Sequence, residues 1–141
     1  MLTTTSAPTV PGSKIGRARA LCVIGGALAA ALAWIVEVPI LGIHLNFRFG
    51  TGPIQAIAVG QVIGAAAAAS LLGWLVLALL ERRTSRARLL WTTIAVAVLA
   101  VSLALPLTAA TTASAAAGLV ILHLTVGATV ISALAYTARA R

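Results

Sequence analysis

The sequence predicts an all-α fold, a membrane-embedded four-helix bundle with its amino and carboxyl ends cytoplasmic. Composition, four long apolar runs and the placement of the basic residues predict it. Of the 141 residues, 61% are hydrophobic and 9% charged, whereas a soluble domain is about half apolar and about a quarter charged. So few charges cannot cover a water-facing surface, and the apolar runs are too long for a soluble core. Nine of the ten Lys and Arg residues fall in three short segments between or outside those runs.

Residues 1–13 are rich in Thr, Ser, Pro and Gly, lack an apolar face, and are expected to form a disordered tail. Residues 14–141 are then a single transmembrane domain. Its first helix runs from about residue 20 to 38, a length of roughly 28 Å that matches the hydrocarbon core. Pro39 ends it, because the residue before a proline is pushed out of helical geometry. Ala31-Leu32-Ala33 mimics a secretory cleavage site, but the apolar stretch runs on past it, so an uncleaved span is expected. The second helix takes residues 54–80, long enough to tilt or project. A charged loop, Glu81 to Arg88, precedes the third helix at 89–105, which stops before Pro106. Leu107 to Ala117 form an uncharged connection, and the fourth helix spans 118–138.

Orientation follows from counting Lys and Arg. Lys14, Arg17 and Arg19 precede the first helix, Arg82, Arg83, Arg86 and Arg88 follow the second, and Arg139 and Arg141 follow the fourth. The first loop has only Arg48 and the third has no basic residue, so four spans put nine of ten basic residues on the cytoplasmic side. The location implied is a bacterial plasma membrane, crossed several times. The net charge of +8 is therefore no nucleic-acid signal. The expected partners are the bilayer, with anionic headgroups at Arg82, Arg83, Arg86 and Arg88, and a partner membrane protein or second copy. Trp74 and Trp91 fall near the cytoplasmic interface. The single cysteine, Cys22, cannot form an internal disulfide and reads as a small apolar residue.

In the first loop His44, Asn46 and Arg48 alternate with Leu45, Phe47 and Phe49, a period of two that predicts a short extended segment. It reads equally as a segment lying on the bilayer surface, rings down, or as a loop with two interfacial Phe residues. Gly50-Thr51-Gly52-Pro53 turns the chain. Apolar side chains gain little by leaving lipid, so helices need small residues at their contacts. Gly60, Gly64 and Ala68 form such a ridge on the second helix, and Gly25, Gly26, Ala29, Ala30 and Ala33 supply the first. The ridge is expected to join these two helices or to meet a second copy.

Of the two acidic residues, Glu81 reads as a solvated partner of Arg82 or Arg83. Glu37 lies in the last turn of the first helix, where the helix dipole disfavours a carboxylate. It needs a cation, a hydrogen-bond donor or a proton, and His44 and Arg48 are nearest in sequence. His123 falls roughly 8 Å below the outer end of the fourth helix and Gln61 roughly 10 Å below that of the second. With Gln55, these groups share outer-leaflet depth, where polar side chains face a bundle interior or a cavity. An outward-opening polar pocket is the expectation. Its candidate catalytic residues are Glu37, His123 and His44, and its candidate ligand-binding residues are Arg48, Gln61, Gln55, Phe47 and Phe49. The plainer readings stand beside it: Glu37 paired with Arg48, His123 bonded to a neighbouring helix, and Gln61 joining helices. With no Asp and two His, a metal site is short of ligands, and His44 with His123 makes a poor haem clamp. No metal and no cofactor is expected.

Several stretches are similar to those of a family of small actinobacterial membrane proteins known as a domain of unknown function. They are Leu77 to Arg83 with Trp91-Thr92, Ser102 to Thr112, and Leu122-His123-Leu124 with Gly127-Ala128. The resemblance covers roughly residues 20–138 and implies four helices without implying an activity. The Ala- and Arg-rich composition suits a high-GC bacterium.

Three functions fit these residues. The first is non-enzymatic: an accessory or interaction protein, or a binder of a lipophilic small molecule. The second is a small proton-coupled exporter. Small multidrug exporters also carry an acidic residue in the first of four helices, but there it sits mid-membrane, whereas Glu37 is near the outer end. The third is a membrane-embedded isomerase or cyclase using Glu37 with His44 or His123 as acid and base and Arg48 for an anionic group.

Overall fold

The structure, a computed structural model, describes residues 12–138. The expected tail up to Pro11 and the basic residues Arg139 and Arg141 lie outside the described residues. The chain forms α1 (Gly12–Ile35), a π-helical turn (Val36–Ile40), β1 (Asn46–Phe47), β2 (Gln55–Ala56), α2 (Val59–Arg83), α3 (Ala87–Ser102), α4 (Ala104–Ala109) and α5 (Ala113–Thr137). With the π turn counted in α1 and α4 joined to α3, four helices pack together, each long and apolar enough to cross a membrane. On α1, Leu21, Ile24, Leu28 and Leu32 are each more than half exposed, a surface suited to hydrocarbon rather than water.

The element ends depart from the expected ones for local reasons. Helix α1 continues past Val38 because the helix widens instead of stopping. Pro39 lacks the N–H that an α-helical turn needs, and the chain takes a π turn in which the Leu41 N–H reaches the Val36 carbonyl at 3.0 Å. Helix α2 starts at Val59 rather than 54 because Gln55 and Ala56 pair with β1, Asn46 opposite Ala56 and Phe47 opposite Gln55. Pro106 does not end the third span; it is the third residue of α4, in a first turn where a missing N–H costs nothing. Helix α5 starts at Ala113 because Thr112 caps it, its Oγ1 accepting from the Ala115 N–H at 3.1 Å. The expected connection from Leu107 to Ala117 thus shrinks to residues 110–112.

The extended segment anticipated at 44–49 is present and paired on both sides. Beyond the hairpin with β2, the Arg48 N–H bonds the Ala109 carbonyl at 2.8 Å and the Thr111 N–H bonds the Asn46 carbonyl at 3.2 Å. Gly50, at φ +54°, supplies the left-handed residue of the turn closed by Gly52 N–H on Phe49 carbonyl. This cap defines the hairpin end of the bundle.

At the opposite, basic end, Arg19 is only 4% exposed. Its Nη2 lies 2.6 Å from Glu81 Oε1, and its Nε donates to Thr137 Oγ1 at 3.3 Å. The start of α1 and the ends of α2 and α5 are therefore gathered at one end. Glu81 is held across the bundle by Arg19 rather than standing as a solvated partner of its neighbours Arg82 and Arg83, both of which are exposed.

Helix α1 packs on α2 and α5, α3 leans on the same two helices from the other side, and α2 and α5 touch little directly. The tight contact is at Gly26, where a Cβ would lie 2.8 Å from both Ser70 Oγ on α2 and Val130 Cγ2 on α5. The ridge of Gly60, Gly64 and Ala68 does not face α1. All three are exposed, with nothing near the two glycines, and α2 instead buries Val62, Ala66, Ser70 and Leu77. Trp91, 2% exposed, fastens α3 to α2 by donating its indole N–H to the Gly73 carbonyl at 2.8 Å. It is a buried strut in the first turns of α3.

Gly26→Ala is expected to destabilise the bundle by about 1–3 kcal/mol, because Val130 is β-branched and Ser70 is bonded to the Ala66 carbonyl, so neither yields easily. Gly25→Ala, with open space around it, is expected to be neutral or stabilising by up to about 1 kcal/mol. Paired thermal melts in one detergent measure the difference, and equal melting of the two variants contradicts the packing described.

Candidate functional site

A cleft of about 660 Å³ lies between α2, α3, α4 and α5, with the hairpin over one end. Its walls are almost wholly apolar. Along α5 the lining residues Leu119, Leu122, Val126 and Val130 are buried or half-buried, so α5 is the back wall. Along α2 it is lined by Ala65, Ala69, Leu72 and Val76, and along α3 by Ile94 and Val98, all exposed. The cleft therefore opens sideways between α2 and α3. Phe47 and Phe49 close the hairpin end, their rings edge to face at 5.1 Å and 73°.

The polar residues lining the cleft are Gln61, Ser102 and His123. They lie at similar depth. Val62 and Leu122, the chain neighbours of Gln61 and His123, belong to one buried cluster. Leu99 packs on Gly127, and one turn from that contact toward the hairpin end α3 reaches Ser102 while the antiparallel α5 reaches His123. Gln61 Oε1 accepts from the Ala58 N–H at 2.9 Å, and His123 Nδ1 lies 2.7 Å from the Leu119 carbonyl. A carbonyl only accepts, so Nδ1 carries a proton, and in the neutral form of the ring Nε2 is then an acceptor. Ser102 Oγ donates to the Leu99 carbonyl at 2.7 Å and keeps its lone pairs.

The remaining expected site residues lie elsewhere. Arg48 is exposed just past β1 and does not line the cleft, unlike its neighbours Phe47 and Phe49. Gln55 is exposed in β2. His44 is exposed beside a smaller cavity of about 280 Å³ lined also by Trp34, Val38 and Asn46. Glu37 lines neither of these cavities. It is 3% exposed, and neither carboxyl oxygen has a hydrogen-bond partner among the described residues. A Cβ on Gly118 would lie 3.3 Å from its Oε2 and 2.7 Å from Leu45 Cδ2, so the carboxyl is shut in under the loop against α5. His123 lies five residues on, about 140° around that helix, on a different face. Neither Arg48 nor His44 reaches Glu37, and no group of three metal-ligating side chains occurs among the described residues.

The model of DUF6069, a family of unknown function, matches residues 11–140. The chain belongs to this family. No curated protein and no solved structure matches it. In this DUF6069 chain the cleft walls gave no sequence signal: Ala65, Ala69 and Val98 are ordinary apolar residues of a span. The candidate residues that do line it are Gln61, His123, Phe47 and Phe49.

Glu37 carries a cost without a visible return. In either protonation state its carboxyl leaves hydrogen bonds unmade, and an unsatisfied buried polar group costs about 1–3 kcal/mol. Glu37→Met keeps the unbranched shape and removes the polar atoms, so it is expected to stabilise the fold by that amount. Thermal denaturation measures it. A lower melting temperature would reveal a partner for the carboxyl outside the described residues.

Proposed function

We propose that this protein is a multi-pass plasma-membrane protein of an actinobacterium that holds an elongated lipophilic molecule in the lateral cleft, its basic end cytoplasmic. The shape of the cleft carries this reading. From Gln61 to Val76 it follows α2 for roughly 22 Å at ~1.5 Å per residue. Its volume is about 660 Å³ and its walls along that length are almost wholly apolar, which suits a long hydrocarbon chain. The volume lies within the ~300–1,000 Å³ range of small-molecule sites. The mouth between α2 and α3 faces the acyl chains of a surrounding bilayer, the phase in which such a ligand is dissolved.

Exporter and acid–base readings both need Glu37 within reach of substrate or solvent. Its enclosure under Ile43 and Leu45 favours the binding reading over them. Positive residues support the orientation: Lys14, Arg17, Arg82, Arg83, Arg86 and Arg88 are exposed at one end. Anionic headgroups suit the four arginines of the α2–α3 turn.

Ala69 is exposed and lines the cleft without bearing on the buried core. Ala69→Phe is therefore expected to leave folding intact and to lower the amount of co-purifying lipophile several-fold, measured by mass spectrometry of solvent extracts. Equal amounts from both proteins would overturn the proposal. For orientation, a reporter fused after Thr51 is expected to read as extracytoplasmic and one after Ser85 as cytoplasmic; the reverse pattern would overturn it.

A further inference from the structure

The three polar residues of the cleft select for a particular head on the ligand. We infer that the lipophile is a long-chain alcohol, its uncharged hydroxyl held between Gln61, Ser102 and His123 and its chain lying along α2 toward Trp91. This rests on the cleft being a lipophile site.

The hydrogen bonds already made leave a short inventory. Gln61 Oε1 is taken by the Ala58 N–H, which leaves its Nε2 as a donor with no partner among the described residues. His123 Nδ1 is taken by the Leu119 carbonyl, which leaves Nε2 as an acceptor. Ser102 has spent its proton on the Leu99 carbonyl, which leaves oxygen lone pairs. One donor and two acceptors remain at one level of the cleft. A hydroxyl satisfies both kinds, because it accepts from Gln61 and donates to His123 or Ser102. An ether or ester can only accept and leaves the His123 nitrogen unmatched. A carboxylate also only accepts, and it finds no cation, since no Lys or Arg among the described residues lines the cleft. Burying an ionised group without a partner is the costliest option. Phosphate heads fail for the same reason.

The chain follows from the walls. Beyond the polar level the cleft runs between Ala69, Leu72, Val76, Val98 and Ile131 to Trp91, and among the described residues the further side-chain polar group is the Trp91 indole, which already bonds the Gly73 carbonyl. A saturated or isoprenoid chain meets only apolar atoms there.

The test is competition in native mass spectrometry on the full chain in detergent, with equimolar 1-hexadecanol, its methyl ether and palmitate. The alcohol adduct is expected to exceed each of the others by about tenfold, the ratio that ~1.4 kcal/mol of matched hydrogen bonding gives. In Gln61→Leu/His123→Leu the alcohol and ether are expected to bind within about twofold of each other. Retained ether binding shows that the variant is folded and its cleft open. Gln61→Leu alone, at an exposed position, is expected to narrow the preference. If all three probes bind but the ether or palmitate equals the alcohol, the head assignment is wrong while the cleft reading survives. If none binds, or Ala69→Phe takes up as much as the unaltered chain, both fall together.

Discussion

The bundle depends on the close approach of three helices at Gly26. Hydrocarbon gives apolar side chains little reason to associate, so helices gain by bringing backbones and small side chains into dense contact. The absent Cβ lets α1 settle against Ser70 of α2 and Val130 of α5 at once. With α1 seated there, α2 and α5 are held apart by its width. The fourth member, α3, must then bridge the same two helices from the other side. It does so at Trp91 on Gly73 and at Leu99 on Gly127, and the space it leaves unfilled is the cleft. The candidate site is thus the space left over once three helices close on Gly26.

The two ends of the bundle are finished by different physics. The basic end is closed by an ion pair with shared hydrogen bonds, Arg19 on Glu81 and Thr137. Such a pair tolerates burial because each charge finds its complement. The hairpin end is closed by backbone hydrogen bonds between residues 46–48 and 109–111, with Leu45 plugged into the α1–α2–α5 core. Trp34 adds its indole N–H to the Ile57 carbonyl at 3.0 Å. Within this second closure sits Glu37, enclosed by aliphatic neighbours and unmatched among the described residues.

The four spans were legible because run length and hydropathy report directly on the solvent. The alternation from His44 to Phe49 was legible because a strand has a period of two. What failed was inference from closeness in sequence. Glu81 was matched with Arg82 and Arg83 beside it, yet its partner is Arg19, 62 residues earlier. Glu37 was given Arg48 and His44 on the same grounds, and neither reaches it. The spacing of Gly60, Gly64 and Ala68 suggests a packing face, but in an Ala-rich helix every face carries small residues; the face buried within the bundle starts at Val62, and the ridge is left exposed, open to a second copy. Thr112 is a readable cap inside the stretch from Leu107 to Ala117, and it places the helix start within what composition alone reads as a connection. The cleft had no signature, because a void is a property of how helices diverge and not of any residue in them.

The clamp at the basic end has a consequence for how the chain is built. Arg19 emerges early, but Thr137 follows it by 118 residues. The guanidinium can meet Glu81 once α2 is made, but its bond to Thr137 waits for α5. A ribosome that stops before α5 therefore releases a chain in which Arg19 has its ion pair and still lacks the hydrogen bond that ties α1 to α5 at this end.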